Sequence, residues 1–364
     1  MKILKVIHGY PPIYNAGSEV YSQSICNELS KTHEVHVFTR EENPYLGDFS
    51  IRKEQKKPNL TLHIINKRFD KINFRNSKFD TTFESLLTQI KPDIVHIGHL
   101  NHLSTGIVDV VRRNNLSIVF TLHDFWLMCP TGQFIQRTYG ESSHFPLCQR
   151  QEDKKCASVC YSMFYTGIHP QEEDFPYWEK WVSKRMQETK TIVDKVNLFI
   201  APSKYLMDRF INEFGVSKEK IIYLDYGFPL NYLYPPQQTP QVFTFGYIGT
   251  HIPAKGVNLL IEAFIDLLLV IHEAQQCKIP VITADFGGMK EYVQHNVNGL
   301  LFQHRDKKDL TAKMLFALEN ENYMKTLGER GYLYSEDRSV ISIEQHCQKL
   351  LEIYQKLIDK TLLV

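Results

Sequence analysis

Three residue types that can hold a phosphorylated, hydroxyl-rich ligand fall close together between Phe243 and Glu291. The apolar run FTFGYIG (Phe243–Gly249) has the length and composition of a buried parallel strand. The turn THIPAKG that follows ends in Lys255-Gly256, a cation at a strand-to-helix junction. Backbone N–H groups at such a junction, with an ammonium beside them, can neutralise a diphosphate. LVIHEAQQC (Leu269–Cys277) reads as a helix carrying Glu273, whose carboxylate can accept from the hydroxyls of a polyol such as ribose. A strand at Ile279–Ala284 comes next, then Gly287-Gly288 and Glu291, where flexible backbone can approach a polar ring. Each feature also has an ordinary reading: a Lys-Gly turn is usually a solvated charge, and a helix glutamate is usually exposed.

Two loops of the amino-terminal half add candidates. GYPPIYNAGSE places Gly17 just before a helix start, with Ser18 as a cap. That makes either an anion site or a plain strand-to-helix turn. Thr121-Leu-His-Asp-Phe-Trp ends a buried strand, so His123 and Asp124 would face the crevice at the carboxyl edge of a parallel sheet. A satisfied structural His–Asp pair is the alternative. Cys129, Cys148, Cys156 and Cys160 lie in an insertion of about 129–160. Four thiolates could hold a structural zinc that staples the insertion, although the spacing is looser than a paired CxxC ribbon; free packing cysteines are the other reading. Phe175–Val196 joins Tyr177, Trp178 and Trp181 to Lys180, Lys184, Arg185 and Lys190. Such an amphipathic helix either docks on its own domain or makes a peripheral membrane contact.

The elements that must position these residues alternate in type. Strand patterns at Ile3–Ile7, Glu34–Phe38, Leu60–Ile65, Asp93–Ile97, Ser117–Leu122, Asn197–Ala201 and Ile221–Leu224 are separated by helical ones. These include a helix near Ser18, Thr82–Ile90, Ile107–Arg113 and one capped by Ser203. That order predicts an α/β fold with a doubly wound parallel sheet. Asn231–Gln241, with Pro235, Pro236 and Pro240, reads as a linker. Beyond it come a strand at Gly299–Phe302 and helices at Lys308–Leu318 and Ile343–Ile358.

The 364 residues suffice for two cores. A net charge of +1 gives no field for nucleic acid. No apolar run approaches the roughly 20 residues of a membrane span. MKILKVIHGYPP reads as a first strand and not an export signal, so seven cysteines are expected as reduced thiols in the cytoplasm. Neither a GxGxxG fingerprint nor a GxxxxGK[ST] loop is present, which argues against a dehydrogenase or a P-loop ATPase.

Together, the GYPPIYNAGSE loop, the HDFW stretch and the segment from HEAQ to the glycine pair resemble a GT-B glycosyltransferase of the large retaining family four. The resemblance implies two Rossmann-like domains facing a cleft, the second with a reduced parallel sheet. Residues 1–232 would form the acceptor-side domain and 242–335 the nucleotide-sugar domain, with a helix in 340–364 packing back on the first. It places Gly17 and Glu19 in a turn near the transferred sugar and acceptor, with Ala16 replacing a common glycine. It sets His123 against the donor sugar, with Asp124 in support, and Lys255 on the diphosphate. Glu273 matches the second glutamate of an E-x7-E pattern and would grip ribose, so His123 and Glu273 are the candidate catalytic residues. Gly287, Gly288 and Glu291 match a donor-side turn with backbone contacts and a capping role for Glu291.

The implied reaction moves a sugar from a nucleotide-sugar donor to a glycan or lipid-linked acceptor, with retention and no cofactor, in surface polysaccharide or glycolipid assembly. The chain departs from the pattern in three further places. Thr250 and His251 stand where an arginine is common, and Ile265 stands at the first glutamate. Only Ile265-Asp-Leu-Leu separates Phe264 from Leu269, leaving three donor-side strands. A non-catalytic binding or assembly module is therefore the alternative. A nucleotide-sugar epimerase would need acid–base carboxylates that the sequence does not offer.

Overall fold

The computed structural model describes residues 1–68, 73–129, 131–136, 146–161, 171–230, 233–235, 269–332, 334 and 340–361. The first unit contains β1 (Lys2–Val6), α1 (Gly17–Leu29), β2 (Glu34–Glu41), β3 (Ile51–Lys57), β4 (Leu60–Asn66), α2 (Ser77–Ile90), β5 (Ile94–Ile97) and α3 (Ile107–Arg113). It continues with β6 (Ser117–Thr121), α4 (Asp153–Cys156, running into a π-turn at Ala157–Tyr161), α5 (Phe175–Lys195), β7 (Leu198–Ala201), α6 (Lys204–Phe214) and β8 (Ile221–Tyr223). These strands form one eight-stranded sheet in the order β3-β4-β2-β1-β5-β6-β7-β8, parallel except for the β3–β4 pair. The chain reverses its direction of growth between β1 and β5, the point where such sheets open a ligand crevice at their carboxyl edge.

Alternation along the strands divides the core in two. One face buries Leu4, Val6, Val95 and Ile97 beneath α2, α3, α5 and α6, with Phe79, Phe83, Val108, Val182 and Phe210. The other buries Ile3, Ile7, Val35, Ile94 and Val119 beneath α1 and the last helix, with Tyr21, Ile25, Leu350 and Tyr354. Local signals agree with these packings. Asn76 caps α2, its side chain accepting from Phe79 N–H, and Ser203 caps α6 at Leu206 N–H. Gly215 ends α6 at φ 80°, a left-handed stop that favours glycine.

The remaining elements are α7 (Leu269–Gln276), β9 (Val281–Ala284), α8 (Met289–Tyr292), β10 (Gly299–Phe302), α9 (Lys307–Glu319), α10 (Glu321–Gly331) and α11 (Ile343–Ile358). β9 and β10 pair in parallel over a small core of Ile271, Ala284, Tyr292, Phe302 and Leu310. The expected strand at Phe243–Gly249 lies outside the described residues, as does most of the linker. α11 opens with a capping box, Ser342 and Gln345, and buries Ile343, Cys347, Leu350, Tyr354 and Leu357 on the large sheet beside α1. Among the described residues no helix is long and apolar enough to cross a membrane.

Candidate functional site

Four strands deliver polar side chains to the carboxyl edge of the large sheet. His8 follows β1, His99 follows β5, His123 and Asp124 follow β6, and Asp225 and Tyr226 follow β8. His8 and His99 straddle the reversal point with ring centroids 4.5 Å apart. His8 Nε2 lies 3.3 Å from Glu19 Oε1, and His99 Nε2 lies 3.4 Å from Asp124. His99 Nδ1 accepts from Asn101 N–H at 2.9 Å, so its proton sits on Nε2, toward the aspartate. His123 Nδ1 meets the Tyr226 hydroxyl at 2.7 Å, and the two rings stack with an interplanar angle of 14°. Burial, reinforced by Lys5 and His99, holds His123 well below the usual imidazole range. Burial first, then His99, His102, Arg40 and His123, does the same to His8. Both rings are therefore neutral at physiological pH.

Helix α5 braces this edge from below. Arg185 is buried, donates to the Trp126 carbonyl and lies 4.7 Å over the Trp126 ring. The apolar side of α5, with Trp178, Trp181 and Val182, is packed into the domain core, and Trp181 meets Phe74 edge-on. Of the two sequence readings of this helix, this is docking on its own domain: the tryptophans are covered, and Tyr177 stays exposed.

The second unit reaches the same edge through α7 and α8. His272 Nε2 lies 3.3 Å from Asp225 Oδ2, and the His272 ring packs 4.4 Å from Tyr292 and 5.0 Å from Phe228. Glu273, the next residue, is half-buried, and burial pushes its carboxyl up. Gly287 has φ 59° and passes beside the Tyr205 ring, while Gly288 lies against Ser203. Glu291 accepts Lys204 N–H at 2.9 Å and Tyr205 N–H at 2.7 Å, so it caps α6 across the two units. Lys255, Thr250, His251 and Ile265 lie outside the described residues.

At the amino-terminal loop, α1 begins at Gly17, and its cap position is Ala16 with no side-chain bond. Ser18 does not cap the helix; its hydroxyl donates to Glu19 Oε2, drawing the buried Glu19 toward His8. The four cysteines of the zinc expectation form no disulfide. Cys129 pairs with Thr131, Cys148 donates to the Arg150 carbonyl, and burial pushes Cys156 up to about 12. Among the described residues no three His, Cys, Asp or Glu side chains converge as a metal set.

Asp225, Tyr226 and His272 carry most of this geometry, yet the sequence did not mark them. Asp225 and Tyr226 stand at a strand's carboxyl end, as His123 does, and His272 adjoins the glutamate that was noticed; those positions were the available signals.

The family model for Glycosyltransferase Family 4 matches residues 16–231, more than half of the chain. The chain belongs to glycosyltransferase family 4. The model for Glycosyl transferases group 1 matches residues 269–334. An uncharacterized glycosyltransferase of Methanocaldococcus jannaschii is 35% identical over 91 residues, which cover 25% of this chain and 25% of that protein. The chain thus spans about a quarter of the length of that relative. Among solved structures, sucrose-phosphate synthase from Thermosynechococcus elongatus is similar at TM-score 0.65 and 15% identity, covering 99% of both chains. Anabaena HepE in complex with UDP is similar at TM-score 0.63 and 14% identity, covering 98% of this chain and 100% of that one. At these identities the likeness establishes the fold: the GT-B architecture, α/β with a mostly parallel sheet.

Proposed function

We propose that this family member is a retaining glycosyltransferase. It moves a sugar from a nucleoside diphosphate sugar to a hydroxyl of a glycan or lipid-linked acceptor, with no metal or other cofactor required. The observation that carries the reading is the junction at the sheet edge. His123 leans on Tyr226, Asp225 meets His272, and His272 adjoins Glu273, so the strand end carrying His123 and the helix carrying Glu273 are joined through Asp225, Tyr226 and His272. The UDP bound by HepE, on the same fold, supports a nucleotide donor.

In this reading 1–232 is the acceptor-side domain and 242–335 the donor-side domain. Lys255 and helix N-termini stabilise the charge growing on the leaving diphosphate, and Glu273 grips ribose. The anomeric C–O bond to the diphosphate breaks as the acceptor oxygen bonds to the same face. The acceptor proton passes to a phosphate oxygen, so no protein base is needed. Closure of the cleft excludes water.

Titration calorimetry with UDP and other nucleoside diphosphates, followed by transfer assays over a panel of nucleotide sugars, tests the proposal. Binding and transfer that both fail in Lys255→Ala and Glu273→Ala are the expected result. A second reading, a binding or assembly module, is favoured by the short join between Phe264 and Leu269 and by Ile265 at the first glutamate position. Absence of nucleoside diphosphate binding would select it.

A further inference from the structure

We propose that Tyr226 is the positioning residue of His123, fixing the imidazole with its proton on Nε2, and that α11 in turn fixes Tyr226. The inference rests on the reading above only for what His123 does with a ligand. Two arrangements of the 2.7 Å contact are possible. If His123 Nδ1–H donated to Tyr226, the phenolic hydrogen would be left without an acceptor. His123 Nε2, which is buried with no partner, would then be a second unsatisfied atom, an unused lone pair. If the Tyr226 hydroxyl donates instead, one unsatisfied group remains, the Nε2–H. Each orphaned buried polar group costs roughly 1–3 kcal/mol, so the second arrangement wins. It leaves a single N–H donor whose acceptor is a ligand oxygen.

The segment carrying Tyr226 is clamped by the start of α11. Phe228 N–H donates to the Ile341 carbonyl at 3.2 Å, and Ile343 N–H donates to the Phe228 carbonyl at 2.9 Å. A Cβ on Gly227 would stand 2.4 Å from His346 Cβ, so only glycine lets the strand pass this close. Behind it lie buried hydrogen bonds that tie α11 to the sheet and to α1: Tyr354 with His96 Nδ1, His96 Nε2 with Thr121, and Tyr21 with His346 Nε2. Tyr354 and His346 both belong to α11. The Tyr21 ring packs against both Tyr226, at 4.7 Å between centroids, and His123, at 5.3 Å. Helix, strand extension and imidazole are thereby locked as one piece.

The test is histidine tautomer assignment by long-range proton–nitrogen NMR on 15N-histidine-labelled protein, with the His123 signals identified by their loss in His123→Gln. Wild type is expected to hold neutral His123 with the proton on Nε2. Tyr226→Phe keeps the stacked ring, removes the donor, and is expected to give a mixture of tautomers. In the transfer assay the same variant is expected to lower kcat about tenfold, the size of one lost hydrogen bond, with nucleoside diphosphate affinity unchanged. In a His123→Gln background, Tyr226→Phe should add nothing. Proton density on Nδ1 in wild type, or an unaltered tautomer in Tyr226→Phe, overturns the proposal. Should Tyr226→Phe fail to fold, the wild-type tautomer alone decides. Absence of transferase activity with the NMR result intact would instead sink the catalytic reading.

Discussion

Glu291 offers the sharpest quantitative check on how the two units meet. Its two carboxylate oxygens take the backbone N–H groups of Lys204 and Tyr205 at the start of α6, which have no acceptor inside the helix. A hydrogen bond to a charged group contributes about 1.5–3 kcal/mol, and an anion at a helix N-terminus adds about 0.3–1 kcal/mol. Glu291 is only partly buried, so water can reach the vacated amides and return part of that loss. Glu291→Ala is therefore expected to weaken the junction by about 2 kcal/mol, and Glu291→Gln, which keeps one acceptor oxygen, by about half as much. The assay is amide hydrogen exchange at Lys204 and Tyr205. At about 1.4 kcal/mol per decade, exchange should accelerate roughly 30-fold in the alanine variant and about fivefold in the glutamine variant. Leu206, capped by Ser203, should follow more weakly. If all three amides exchange at the wild-type rate in both variants, Glu291 is not bridging the units and the contact carries no energy.

Three further outcomes follow from buried groups. Lys5 is buried with no partner for its ammonium, and burial lowers it to about 7. The unfolded chain thus holds the extra proton between about 7 and the usual lysine value, so stability should rise with pH across that window. Lys5→Met should remove the rise and be more stable at pH 6 by a few kcal/mol, as read by urea midpoints. A Cβ on Gly106 would stand 1.9 Å from Asp80 Oδ2, so Gly106→Ala should cost about 1–3 kcal/mol, recovered in part by pairing it with Asp80→Ala. In native thiol titration Cys129, Cys148 and Cys277, which are partly exposed, should react ahead of the buried Cys26, Cys156, Cys160 and Cys347. Co-purifying zinc that shields Cys129 and Cys148 would contradict their packing as free thiols.

Strands buried on both faces were legible because their apolar runs leave little choice of conformation: β1, β2, β4, β5, β6 and β7 all fall within a few residues of the patterns read from the sequence. β3 was not, and its composition explains why. IRKEQKK pairs only with β4, at the sheet's edge, where its side chains face water and no hydrophobic alternation is required. α10 escaped for a related reason: ENYMKTLGERG holds Gly328, which costs helix propensity. The packing that overrides this cost is long-range, because a Cβ there would stand 2.2 Å from the Lys278 carbonyl oxygen.

The site divides along the same line between local and long-range information. His123 could be located because a polar residue ending a buried strand has few places to point. Its partner could not, since Tyr226 lies 103 residues further on and is chosen by sheet order, β6 and β8 flanking β7. Glu291 shows the same. A capping role could be read for a glutamate after a glycine pair, but not the helix it caps, which begins 86 residues earlier. Long-range pairs hold this edge together: Glu291 with α6 and His272 with Asp225 cross the two units, and Tyr226 with His123 joins two strand ends of the first. Two of the three meet within Asp225–Phe228, the segment clamped by α11. A perturbation of the last helix should therefore reach His123 and the α7 contact together. Separate loss of one with the other intact would mean that the segment bends between Asp225 and Tyr226 and does not move as a rigid strand.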